Sequence, residues 1–326
     1  MAKGLSRAGR RLPACGRLIL AVIACLPVLA SGGMAAAAGH RTANFLVEAP
    51  TEALARKIGD AAEQYRHTLA IEWTGSPLPR WSRPCPITAQ VAPHLGAGGA
   101  TSFVFDRGEV FNWTMTIQGS EERILDSVLP HEITHTIFAS HFRRPLPRWA
   151  DEGACTTVEH PVERARQHRM LIEFLTTGRG IAFPQMFAMK EYPADVLPLY
   201  SQGYSLARYL IERGGRHKYM SFVADGLANE NWSRALETHY GVPTVAQMQQ
   251  VWLDWVKQGC PAPPASLAAA APPPAAAWAA TTRGQSPDAP AARSGPAATA
   301  PVATSAARTS VYAQARAAGP SAQSDR

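Results

Sequence analysis

The sequence predicts an α+β domain, and three observations support this. Strand-like runs lie at 42–49, in "CPITAQVA" and over 101–119, with one helical segment among them. After Gly119 the period becomes helical and stays so to about 258. The composition at both ends of the chain differs from that of the part between, and no internal repeat is visible. Strands first and helices after describe an α+β layout.

The elements follow in order. "TANFLVEA" (42–49) alternates apolar and polar residues and ends at Pro50, as a strand does. Thr51 can cap a helix over "EALARKIGDAAEQYRHTLA", in which Leu54, Ile58, Ala61 and Tyr65 keep helical spacing. "CPITAQVA" reads as a second strand. "GAGGA" (96–100) lacks the Lys-Ser/Thr of a phosphate loop and reads as a flexible turn. "TSFVFDRGEVFNWTMTIQG" reads as a hairpin turning at Asp106-Arg107-Gly108-Glu109, with Phe111, Trp113 and Met115 on one face. Helical patterns lie near 127–142, 149–178, 199–213, 215–228, 231–239 and 244–258. In the last of these, Trp252 and Trp255 fall at core spacing.

The ends bound the domain. Residues 1–17 carry Lys3, Arg7, Arg10, Arg11 and Arg17 and no acid; "LILAVIACLPVLA" and then "SGGMAAAAG" follow. That order predicts a signal peptide over 1–38, cleaved near Ala38, and a secreted, periplasmic or other extracytoplasmic protein. The apolar run is short for a membrane span and Pro27 interrupts it, so no stable span is expected. Residues 261–326, as in "PAPPASLAAAAPPPAAAW", hold too few large apolar side chains to offset ordering entropy and predict a disordered tail. The net charge of +7 comes mostly from these ends, which leaves 39–260 near neutral. No basic patch calls for a nucleic-acid partner. Cys85, Cys155 and Cys260 remain after cleavage; they allow one disulfide of undetermined pairing, and none forms a C-x-x-C zinc knot.

The chemistry concentrates in "SVLPHEITHTIF" (127–138). Ser127 is a candidate N-cap, which would put Pro130 in the first turn, where its missing N–H does little harm. At about 100° per residue a step of four turns only about 40°, so His131 and His135 share a helix face. Two imidazoles so placed can bind one Zn²⁺, and Glu132 beside them can take the proton of an attacking water.

Two residues compete for third ligand. His141 lies at metzincin spacing, but the position where those proteins need a glycine is Phe138, and on a continuing helix His141 faces away. It stands at a helix end with basic neighbours. Glu152 lies in "LPRWADEGACTTVEH", where a second helix restarts after Pro145 and Pro147. Glu159 and Glu163 lie further along that helix. Asp126 could orient a ligand histidine, though a helix-start acid is its simpler role.

"HEITH…PRWADEG" resembles the peptidase MA-like metallopeptidases, the gluzincin branch of the zincins. The resemblance is strong at 124–155 and weaker over the rest of 42–260. It implies a zincin-like domain over 39–260, with an N-terminal mixed sheet, an active-site helix and a helical second half. It also implies His131, His135 and Glu152 as zinc ligands and Glu132 as general base. "YSQGYSLARYLIERGG" (200–215) looks like that family's later helix, which makes Tyr200, and after it Tyr204, a candidate donor to the transition-state oxyanion; His160 is a third. In this fold a strand edge pairs with extended substrate, and 111–119 is the expected edge. The aminopeptidases' Gly-x-Met-Glu-Asn segment is missing from the sequence, which favours an endopeptidase.

The expectation is a monomeric exported zinc metallopeptidase acting on peptide or protein substrates. The alternative is a non-catalytic exported binding or wall-associated module of the same shape.

Overall fold

A computed structural model describes residues 38–262 and the strand Arg308–Thr309. Apart from Ala38, Pro261–Ala262 and that strand, the predicted signal peptide and tail lie outside the described residues. The described chain is α+β: a mixed sheet followed by a mostly helical remainder.

The sheet has the order β1-β2-β3-β5-β4-β6. β1 (Ala38–Arg41) is antiparallel to β2 (Phe45–Ala49). β2, β3 (Cys85–Val91) and β5 (Glu109–Gly119) run parallel. β4 (Gly98–Asp106) is antiparallel to β5, and β6 (Arg308–Thr309) is antiparallel to β4. The strand expected over 42–49 is β2 and starts only at Phe45; β1 precedes it, outside the expected range. The break between them at Thr42–Asn44 is held by Glu63, whose carboxylate accepts from Thr42 Oγ1, Asn44 N and Asn44 Nδ2.

Two expectations about this sheet are corrected. The segment 111–119 is not an edge, because β5 pairs with β3 on one side and β4 on the other. The hairpin folds β4 back along its outer side, so β4 is the strand that meets the short β6. The glycine-rich stretch is also not a turn: Gly98 and Gly99 pair with Gln118 and Ile117 as part of β4. The hairpin turn lies where expected. Arg107 (φ 48°) and Gly108 (φ 78°) form the two-residue left-handed turn that matches strand twist. Trp113, Met115 and Ile117 point into the core, but Phe111 is 39% exposed. The phase slips at Asn112 (φ 57°), opposite a register shift between Ser102 and Val104.

α1 (Glu52–Thr74) packs against β1, β2 and the central helix. Thr51 caps it as predicted, accepting from Leu54 N. The next helical stretch starts earlier than expected: Ser120 caps α2 (Glu121–Arg123), a π turn spans Ile124–Val128, and α3 runs Leu129–Phe142. Ser127 is thus inside the helix, donating to Asp126 Oδ1 at 2.6 Å, and is not its cap. Pro130 then sits mid-helix, where its ring would crowd the carbonyl four residues back. The π turn widens the backbone at that place: Leu129 N bonds to Ile124 O, five residues back.

The expected 149–178 helix is broken at 157–160 into α4 (Arg148–Thr156) and α5 (Pro161–Thr176). Pro161 cannot continue the ladder, and His160 caps α5 by accepting from Val162 N. α6 (Phe183–Ala188) was too short for its period to be read in the sequence. α7 (Leu197–Asn229) bends at Gly215 (φ 78°, ψ 170°), where the sequence divides two helical patterns. α8 (Trp232–Tyr240) and α9 (Val245–Lys257) complete the helical part, with Trp252 and Trp255 buried as expected. α4 crosses α7 at Gly153 and Gly203; a Cβ on Gly153 would overlap the Gly203 carbonyl.

Cys85, Cys155 and Cys260 are free and buried, with no disulfide among the described residues. Burial pushes the Cys85 thiol up to about 12. At pH 8 iodoacetamide should therefore leave Cys85 and Cys155 unlabelled in the native chain and label both after denaturation, as read by peptide mass mapping. Native labelling at either would show that the packing around it opens.

Candidate metal centre

From Leu129 to Ala139, α3 is buried between α1, the sheet and α4, and its polar residues there face other protein groups. His131, Glu132 and His135 are 0%, 0% and 2% exposed, and the two imidazole rings lie 4.9 Å apart on one side. Glu152 arrives from α4, fully buried. Its Oε2 lies 3.4 Å from His131 Nε2 and 3.6 Å from His135 Nε2. Ligand atoms about 2.0–2.1 Å from a tetrahedral Zn²⁺ are separated by about 3.3–3.4 Å, and both distances from Oε2 lie close to that.

The other ring nitrogens are fixed from behind. His131 Nδ1 lies 2.8 Å from Glu159 Oε1, and His135 Nδ1 lies 2.9 Å from Asp151 Oδ1. A carboxylate on Nδ1 sets the tautomer and turns Nε2 toward the shared point. Asp126, the sequence's candidate for that work, is instead occupied with Ser127. Glu159 orients a ring; Glu163 pairs with Arg123. Cys155 Sγ lies 3.4 Å from His135 Nδ1, and His131, His135 and Cys155 form a buried group that could hold a metal ion.

Glu132 lies against β4. Thr101 Oγ1 donates to its Oε2 at 2.7 Å. Oε1 has no hydrogen-bond partner among the described residues and sits over Gly99, where a Cβ would lie only 2.6 Å away. The glycine leaves room for the carboxylate, and the threonine leaves one oxygen available.

The charges point the same way. Burial raises the Glu132 carboxyl above its ordinary range against the pull of both histidines. Burial alone would lower the His131 imidazole, but hydrogen bonds to Glu152 and Glu159 leave it raised. Burial acts likewise on His135, and Cys155, Asp151 and Glu152 raise it well above normal. Glu152 resists burial through His135 and His131 and stays well below the usual carboxylate range. The pocket thus favours positive charge at its centre.

The remaining sequence candidates separate. Tyr200 is buried, and the charges that raise its phenol after burial itself are Glu152, Tyr192 and Glu132, which places it beside the site. Tyr204 is buried, and burial raises its phenol while Arg208 and Arg164 lower it; no contact with Glu152 or the two histidines distinguishes it. His141 is exposed at the end of α3 against Phe142. His160 is a helix cap. Tyr192, which sequence reasoning missed, donates to Glu152 Oε1 at 2.5 Å from the irregular stretch 189–196. No period or motif marks it; "EYP" reads only as a loop. A groove of about 880 Å³ between the start of α4, α6 and α8 contains none of these residues.

Compared with known proteins, the chain matches no protein-family profile and no curated protein sequence.

Proposed function

We propose that the chain is a zinc-dependent metallopeptidase of the gluzincin, peptidase MA-like kind. The convergence of Glu152 Oε2 on both Nε2 atoms carries this reading. His131, His135 and Glu152 would hold the ion. Zn²⁺ there would supply a Lewis acid that polarises the scissile carbonyl and acidifies water.

The chain's own groups do the rest. Glu132 takes the proton of the attacking water on Oε1, the oxygen Thr101 leaves available, and passes it to the departing amine. Its raised carboxyl suits a base that must give the proton back. Tyr200, beside Glu152, is the better placed of the two tyrosines to donate to the oxyanion. β4 carries Gly99 and Thr101 under the base, and its outer edge takes an antiparallel partner, as its pairing with Arg308–Thr309 illustrates. An extended peptide on that edge would be bound by main chain, with tolerance of sequence, as an endopeptidase requires. The mixed sheet ending in an antiparallel strand beside a buried His-Glu-x-x-His helix supports a zincin-like domain. No described helix is long and apolar enough to cross a membrane; export rests on residues 1–38.

Cys155 is the rival third ligand. It lies on the Nδ1 side of His135, which Asp151 occupies, and burial holds its thiol protonated, so Glu152 is preferred. Mass spectrometry of bound zinc decides. The wild type, His141→Ala and Cys155→Ser should retain about one equivalent; His131→Ala and Glu152→Ala should lose it. Loss in Cys155→Ser with retention in Glu152→Ala would move the ligand. Chelator-sensitive hydrolysis of casein separates an enzyme from a non-catalytic module.

A further inference from the structure

We infer that Tyr192 positions Glu152, committing one carboxylate oxygen to a hydroxyl so that only the other faces the imidazoles. The inference rests on the ligand set proposed above and adds a residue to it. Glu152 Oε1 accepts from Tyr192 Oη at 2.5 Å, while Oε2 is the oxygen near both Nε2 atoms.

The direction of the bond follows from its neighbours. Arg148 Nη1 lies 3.1 Å from Tyr192 Oη and can only donate, so it takes an oxygen lone pair. The single phenolic hydrogen is then directed at Glu152, which accepts. Arg148 also holds the ring, with its guanidinium 4.1 Å from the ring centroid. Arg148 and Glu152 lie one turn apart on α4, so one helix carries both the ligand and the clamp on the residue that fixes it. Ion pairs Lys190–Glu230 and Arg179–Asp195 tether the stretch on either side of Tyr192.

A carboxylate with two accessible oxygens can grip a cation with both. One held by Tyr192 grips with one and leaves a coordination position for water and substrate. Tyr192→Phe keeps the ring and removes the hydrogen.

The test is cobalt and zinc binding to the full-length chain. Wild type loaded with Co²⁺ should show the strong visible absorption of a four-coordinate site. Tyr192→Phe should show a weaker band of higher coordination number and bind zinc about 10–100-fold less tightly. Arg148→Met should shift both readouts in the same direction by less. The metal-free melting temperature of Tyr192→Phe should stay near wild type, which separates positioning from folding. An unaltered cobalt band and zinc affinity in Tyr192→Phe would overturn this role alone. Failure of the wild type to bind either metal would overturn it together with the ligand set.

Discussion

Glu132→Gln is expected to leave zinc bound and to lower kcat by about 10²–10⁴-fold, the range of a lost general base. The substitution preserves shape where shape is tightly constrained: Glu132 is fully buried, with one oxygen on Thr101 and the other over Gly99. A glutamine oxygen can still accept from Thr101, so the fold and the ligands should not move. The amide cannot take a proton. Turnover of a fluorogenic peptide, with zinc content measured on the same preparation, checks this. Undiminished turnover would remove Glu132 from the reaction. Loss of zinc together with turnover would mean that the residue supports the ligands instead.

Gly153→Ala should destabilise the fold and distort the site beside it. Its new methyl would overlap the Gly203 carbonyl and lie 3.0 Å from Tyr204 N. Both obstacles are backbone of α7, so no side chain can swing aside. Overpacking of this kind costs about 1–3 kcal/mol, at times more. In a domain of this size each kcal/mol lowers the melting temperature by about 2–4 °C. The helix that must retreat carries Glu152 as the adjoining residue, so zinc affinity should fall as well. A melt and a zinc titration within error of wild type would show that the two helices can slide apart freely.

The sequence revealed different layers of the structure unequally. The cap at Thr51, the turn at Arg107–Gly108 and the break near Gly215 each depend on a few adjacent residues, and all three stand where they were expected. The start of α3 did not, because Ser127 and Ser120 are both plausible caps and only the π turn's accommodation of Pro130 explains the longer helix. The edge was misplaced because alternation gives a strand's faces and says nothing of its neighbours. At the centre, the shared face of His131 and His135 follows from spacing alone. Glu152 was reached through the resemblance and through the turn between helices. Glu159 stands in the sequence as a weaker candidate for third ligand and nothing there singles out Asp151, since the work of both lies in pointing at rings that the fold brings near. Tyr192 lies 40 positions from its partner and has no local signature.

The close fit of Gly99 beneath Glu132 ties the placing of that carboxylate to strand register. Were β4 to slip by one residue against β5, Ala100 or Gly98 would take that place and Thr101 would leave its oxygen, since neighbours on a strand point to opposite sides. The length of the loop at Arg107–Gly108, at the far end of the hairpin, therefore serves as the gauge that keeps Glu132 aligned with Gly99 and Thr101.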